Sequence, residues 1–221
     1  MKRYFSWLPN AITCLNLTSG CVALVLAFNG FYGYASLAIC AAAVFDFLDG
    51  AVARLMGAYS DIGAELDSLS DLVSFGVAPG LMVYCQLPAP YNIVAVMIPV
   101  CGALRLARFN VDTRQTTSFI GLPIPANALF WIGITAFWQG SVLMNEILVW
   151  TLCVVFISLA MLAPINLPSL KFHDFKFAGE NRVRYLLIIL TIALLALFGV
   201  PGLALVIIVY LMLGAISAFI K

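Results

Sequence analysis

Apolar residues run along this chain in long stretches, interrupted by short polar or turn-forming cuts. The runs fall near 11–28, 32–55, 63–84, 91–109, 124–139, 146–164, 184–199 and 202–220. A helix needs about 20 apolar residues to cross a bilayer, so the pattern predicts about eight short spans. Asn29-Gly30, Pro88-Ala89-Pro90 and Val200-Pro201-Gly202 mark three cuts, because these residues favour turns over helix continuation. The cut near 57–61 rests on Gly57 and the polar residues after it. Met1-Lys2-Arg3 before an apolar run has the outline of a signal peptide, yet no A-x-A-like cleavage site follows. A retained first span is expected, preceded by an interfacial segment containing Tyr4, Phe5 and Trp7. The expected fold is all-α: a polytopic transmembrane bundle forming one domain over 1–221, without internal repeats or a long linker.

Composition agrees with that reading. Of 221 residues, 64% are hydrophobic and 10% charged, and mean hydropathy is +1.08. Soluble domains run at about 45–50% apolar and about 25% charged, which excludes a soluble enzyme, a disordered chain and a nucleic-acid binder. Charge placement then orients the bundle. With the N-terminus inside, eight spans put the loops near 57–61, 110–122 and 165–183 on the cytoplasmic side, and both termini with them. All eleven basic residues (Lys2, Arg3, Arg54, Arg105, Arg108, Arg114, Lys171, Lys176, Arg182, Arg184 and Lys221) then lie at cytoplasmic termini, loops or span ends. Glu146 is the single charge near the outer loops. Tyr32, Tyr34, Tyr84, Tyr91 and Trp138 fall near outer ends, where amphipathic rings prefer to sit.

The six cysteines (Cys14, Cys21, Cys40, Cys85, Cys101 and Cys153) sit in apolar runs without a C-x-x-C pair and read as small buried hydrophobes. His173, in a polar loop, reads as solvated. The acids are the anomaly. Six of ten (Asp46, Asp49, Asp61, Glu65, Asp67 and Asp71) fall within 26 consecutive positions. Residues three and four apart share a helix face, so Asp46, Asp49, Gly50 and Ala53 line one face of span two. Gly63, Asp67 and Asp71 recur every fourth residue on span three, with Ser70 and Ser74 alongside. A short turn joins these two span ends, so four carboxylates can converge between antiparallel helices. An ionised aspartate within a span costs about 2.5–3.5 kcal/mol on insertion scales, and clustered like charges resist joint ionisation. A divalent cation relieves both costs, and carboxylate oxygen suits Mg²⁺, Mn²⁺ or Ca²⁺. Gly50, Ala53 and Gly63 would leave room beside such an ion for a bulky ligand, although small residues also serve close helix packing.

The stretch Asp46-x-x-Asp49-Gly50-x-x-Ala53-Arg54-(x8)-Gly63-x-x-x-Asp67-x-x-x-Asp71 resembles the signature of the CDP-alcohol phosphatidyltransferases at every fixed position. The resemblance implies an integral membrane enzyme, usually homodimeric, whose active site opens to the cytoplasmic leaflet. Such enzymes cleave a CDP-linked substrate, release CMP and join the remaining phosphate to an alcohol. It implies that Asp46, Asp49 and Asp67 bind divalent metal, Mg²⁺ or Mn²⁺ before Ca²⁺. Asp71 would be a further ligand or the general base. Gly50, Ala53, Arg54 and Gly63 would surround the cytidine and diphosphate.

Four flanking blocks resemble membrane-embedded phosphatidylserine synthases within that family: Pro9-Asn10-Ala-Ile-Thr13-Cys-Leu-Asn16, Ser70 to Pro79, Arg105 to Asn110, and Phe119 to Ala126. The implied substrates are CDP-diacylglycerol and L-serine, with catalytic helices over about 9–128 and further spans over about 146–220. Asn10, Thr13 and Asn16 share a helix face that suits nucleotide or phosphate contact, or helix capping or hydrogen bonding between helices. Arg105 and Arg108, three apart at the inner end of span four, suit bidentate contact with a carboxylate or phosphate, or anchoring to anionic headgroups. Lys171, Lys176, Arg182 and Arg184 read as anchors. Two rivals remain at this point: the same chemistry on another alcohol, and a cation transporter. Transporters place coordinating groups near the bilayer midplane, whereas these acids sit at span ends.

Overall fold

The computed structural model describes residues 7–58, 60–111, 119–137, 146–167 and 180–220. Helix α1 spans Trp7–Phe28 and α2 Tyr32–Met56. A single helical rod, Asp61–Gln86, follows as α3 (Asp61–Asp71), a π-helical turn (Leu72–Val77) and α4 (Ala78–Gln86). A 3₁₀ turn (Tyr91–Val96) leads into α5 (Met97–Val111). Then come β1 (Phe119–Ile120), α6 (Ile124–Phe137), α7 (Ile147–Leu162), β2 (Asn166–Leu167), α8 (Glu180–Phe198) and α9 (Gly202–Ile220). Lys2, Arg3, Tyr4, Phe5, Arg114, Trp138, Lys171, His173, Lys176 and Lys221 lie outside the described residues, as does the side chain of Arg182.

Each expected apolar run coincides with a helix. By length and composition, Trp7–Phe28, Tyr32–Met56, Asp61–Gln86 and Tyr91–Val111 can cross a membrane; Ile124–Ala136, Ile147–Leu162, Arg184–Phe198 and Gly202–Ala215 are shorter apolar helices. The all-α class holds, with one addition: β1 and β2 form a two-residue antiparallel ladder, Phe119 opposite Leu167. Gly121, at φ +78, continues from it with its N–H on the Ile165 carbonyl at 2.9 Å. A side chain there would press on the Ala163 carbonyl, so the position calls for glycine on two counts.

The cut at 57–61 has a clear local cause. Gly57 ends α2 in the left-handed region, returning its N–H to the Ala53 and Arg54 carbonyls. Ser60 then caps α3, its hydroxyl accepting from Gly63 N–H at 3.0 Å. The π turn also follows from sequence. Pro79 lacks an N–H, so the Phe75 carbonyl loses its α-helical donor and the ring crowds that carbonyl; widening relieves the clash. Fully buried Asn127 on α6 donates to the Phe75 carbonyl at 2.8 Å and accepts from Trp131 Nε1 at 3.0 Å. Replacing Asn127 with alanine strands both groups. The expected loss is about 1–3 kcal/mol, read as a lowered unfolding temperature in detergent.

The core gathers Phe75, Met82, Ile98, Leu122, Ile124, Trp131 and Trp150, with the two indoles stacked at 6.2 Å across α6 and α7. Outward faces carry Phe47, Leu148, Phe156, Ile192, Leu197 and Met212. Apolar exposure on this scale suits lipid rather than water. The cysteines correct one expectation: all six are free thiols, but only Cys101 is buried, while Cys14 and Cys21 face outward from α1. Thiols tolerate a lipid-facing surface as readily as a core.

Several chain segments meet at one end of the bundle. Asn110 donates to Ser68 Oγ at 2.9 Å, and Arg108 to the Leu162 carbonyl at 3.3 Å. The β1–β2 ladder lies beyond them. Described parts of two of the loops expected on one side, near 110–122 and 165–183, therefore meet through that ladder.

Candidate active site

The helical spacing does what it predicts. Helix α2, which ends at Met56, presents Asp46 and Asp49, and α3, which starts at Asp61, presents Asp67 and Asp71. Carboxylate oxygens of Asp46, Asp49 and Asp67 all lie within 4.8 Å of one another. Asp46 is also in hydrogen-bonding reach of Asp67 and Asp71. Asp49 and Asp71 are buried, Asp46 and Asp67 half-buried. Asp49 Oδ2 and Asp67 Oδ1 are enclosed without a hydrogen-bond partner. Buried carboxylate oxygens left unmet are costly. A donor set made only of carboxylate oxygen, with two of them orphaned, fits a hard divalent cation. The Thr13 hydroxyl donates to the Pro9 carbonyl at 3.0 Å and lies beside Asp49; its one proton can serve either acceptor.

A cavity of about 210 Å³ opens beside the trio. Asn10 and Thr13 line it from α1, Asp49, Gly50 and Ala53 from α2, and Ser60, Gly63, Ala64 and Asp67 from the cap and start of α3. Every residue expected near cytidine and diphosphate thus lies in this wall except Arg54. That side chain is exposed and passes over Gly50, where an added Cβ would sit 3.6 Å from Nη1. At Gly63 a Cβ would come within 2.9 Å of both Asn10 Oδ1 and Ser60 Oγ. Gly63→Ala should therefore displace Asn10 from the wall. Should Asn10 contact the nucleotide expected in this cavity, losing that hydrogen bond would raise KM for it by about 2–10-fold, measured by saturation kinetics at unchanged kcat.

Asp71 stands apart from the cavity wall. Asn16 Nδ2 donates to its Oδ1 at 3.2 Å. Arg105, buried on α5, stacks on Phe109 at 5.0 Å and lies within Coulombic range of Asp71. The two arginines thus part company: Arg105 is buried within Coulombic range of Asp71, while exposed Arg108 closes the C-terminus of α7 through the Leu162 carbonyl. Asp61 and Glu65 are exposed on the first turns of α3, where a negative charge suits the helix dipole. Ser60 and Asn127 are the contributors that sequence reasoning passed over. A serine directly before the acidic first turn of α3 is a cap signal, and a lone asparagine inside an apolar run was a visible anomaly.

Comparison with known proteins accords with this geometry. The chain is 39% identical to the CDP-diacylglycerol–serine O-phosphatidyltransferase of Methanocaldococcus jannaschii, covering 93% of this chain and 91% of the relative. Identity to the Bacillus subtilis protein of the same name is 34%, over 80% of this chain and 96% of the relative. An archaetidylserine synthase of Methanothermobacter thermautotrophicus is 42% identical over 57% of this chain and 56% of its own. Residues 6–158 match the family described as CDP-alcohol phosphatidyltransferase, a stretch that holds all four aspartates, the cavity and Arg105. The chain belongs to the CDP-alcohol phosphatidyltransferase family.

Proposed function

We propose that this protein transfers the phosphatidyl group of CDP-diacylglycerol to the hydroxyl of L-serine, forming phosphatidylserine and releasing CMP. The observation that carries the reading is the meeting of three carboxylates, two with orphaned buried oxygens, beside a cavity walled by the signature's small residues. Serine as acceptor is supported by the names of the relatives, which share serine across phosphatidyl and archaetidyl lipids.

Asp46, Asp49 and Asp67 would hold divalent metal, Mg²⁺ or Mn²⁺. Bound there, the ion supplies positive charge that neutralises the diphosphate and the departing CMP. Asn10, Thr13, Gly50, Ala53, Arg54 and Gly63 would receive cytidine and diphosphate. Asp71 would accept the proton of the serine hydroxyl as its oxygen bonds to the lipid-bearing phosphorus. The phosphorus–oxygen bond to CMP breaks, and its electron pair leaves with CMP. Arg105, beside Asp71, would grip the serine carboxylate; Arg108, engaged at α7, is the weaker candidate for acceptor or phosphate contact. The positive-inside pattern supports a site facing the cytoplasm in a multi-pass cell-membrane protein, and family resemblance supports a homodimer.

Purified protein with CDP-diacylglycerol and metal should release CMP when L-serine is added. Release that responds instead to glycerol 3-phosphate or an inositol phosphate would keep the enzyme class and remove the serine assignment. Ion flux without CMP release would favour a transporter.

A further inference from the structure

We propose that Asn16 is a positioning residue for Asp71, holding its carboxylate in one orientation for the acceptor hydroxyl. The inference rests on the reading of Asp71 as the base. An aspartate's terminal torsion is broad and roughly two-fold, so a carboxylate that must meet a hydroxyl needs an external restraint. Asn16, fully buried on α1, supplies one through Nδ2 on Asp71 Oδ1 at 3.2 Å. An ionised carboxylate only accepts hydrogen bonds, which fixes which end of the amide faces it.

The restraint is itself anchored. Ser74 Oγ donates to the Asn16 carbonyl at 3.1 Å, and Ser70 Oγ lies 3.3 Å from the Thr13 carbonyl. These serines lie one residue before Asp71 and three after it, so α1 is tied to the rod on both sides of the base. Gly20 permits the approach, since an added Cβ would overlap Ser74. A second observation points from packing toward function. Asn16 Oδ1 is buried and has no hydrogen-bond partner. Buried polar atoms are nearly always paired, and leucine would fill a similar volume without that unmet acceptor. What leucine cannot do is donate to Asp71.

The test compares Asn16→Leu and the isosteric Asn16→Asp with wild type, using CDP-diacylglycerol, L-serine and Mn²⁺. Loss of a partner that orients a functional carboxylate costs about 10–100-fold, here expected in kcat, with both KM values within about threefold. Unfolding temperature should stay near wild type in Asn16→Leu, which removes one unmet acceptor, Asn16 Oδ1, while unpairing Asp71 Oδ1. Should Asn16→Leu fail to fold, Asn16→Asp carries the same comparison. A loss expressed in KM, or unchanged kcat, overturns the proposal. Asn16→Leu is also measured on an Asp71→Glu background, where the extra methylene is expected to carry the carboxylate off the Asn16 donor. There it should cost under about twofold, because residues acting through one another are not additive. An equal cost on both backgrounds would show independent action and also overturn the proposal. If Asp71→Glu turns over too slowly, the split between kcat and KM decides. Wild-type turnover in Asp71→Asn would instead remove the base reading.

Discussion

Asp71→Asn is expected to lower kcat by about 10²–10⁴-fold, the usual contribution of a general base, while CDP-diacylglycerol binding stays within a few-fold of wild type. The asymmetry follows from placement. Asp71 is outside the cavity wall and outside the trio whose oxygens lie within 4.8 Å, so its loss spares the nucleotide site. Asparagine keeps the volume, and its carbonyl oxygen can still accept from Asn16 Nδ2, so the fold should survive. Single-turnover CMP release and equilibrium binding of the nucleotide lipid, measured on one preparation, separate the two quantities. A parallel fall in binding would mean that Asp71 acts as a metal ligand.

Removing divalent metal should be equally severe. Chelation is expected to reduce turnover to background, and added Mg²⁺ or Mn²⁺ to restore it. The stability effects have opposite signs with and without metal. In metal-free protein, Asp46, Asp49 and Asp67 crowd like charges together. Asp67→Asn relieves that repulsion, so the metal-free variant should unfold at or above the wild-type temperature. Wild type should gain about 2.7 kcal/mol at a metal concentration a hundred times Kd. The variant should gain much less, its Mn²⁺ affinity weakened by at least about tenfold. Thermal unfolding in detergent across an Mn²⁺ titration reads both effects. Equal metal stabilisation of the two proteins would contradict the assignment.

Much of this architecture is legible in the chain itself. The apolar runs are long and their cuts carry Gly, Pro or a cap, so the helices of the described residues fall where the pattern puts them. Asp46, Asp49, Asp67 and Asp71 sit at spacings of three and four, and helical geometry brings such positions to one face. The relation between Asn16 and Asp71 is different. They are 55 residues apart, and no local rule states which turn of α1 meets which turn of α3. That register depends on Gly20 letting Ser74 close in, a tertiary fact. The same holds for Arg105 and Arg108. Their spacing is identical to that of a paired clamp, yet the end of α7 claims one of them. The apolar run over 63–84 reads as one span, and nothing local states that Asn127, on another helix, would meet the Phe75 carbonyl stranded by Pro79.

The most direct measurement uses L-serine carrying ¹⁸O in its hydroxyl, with purified protein, CDP-diacylglycerol and Mn²⁺, both products being weighed by mass spectrometry. Attack by the serine oxygen on the lipid-bearing phosphorus predicts that all label enters phosphatidylserine and that CMP stays unlabelled, in equal amounts. Label in CMP, or a lipid product without serine's oxygen, would contradict the account.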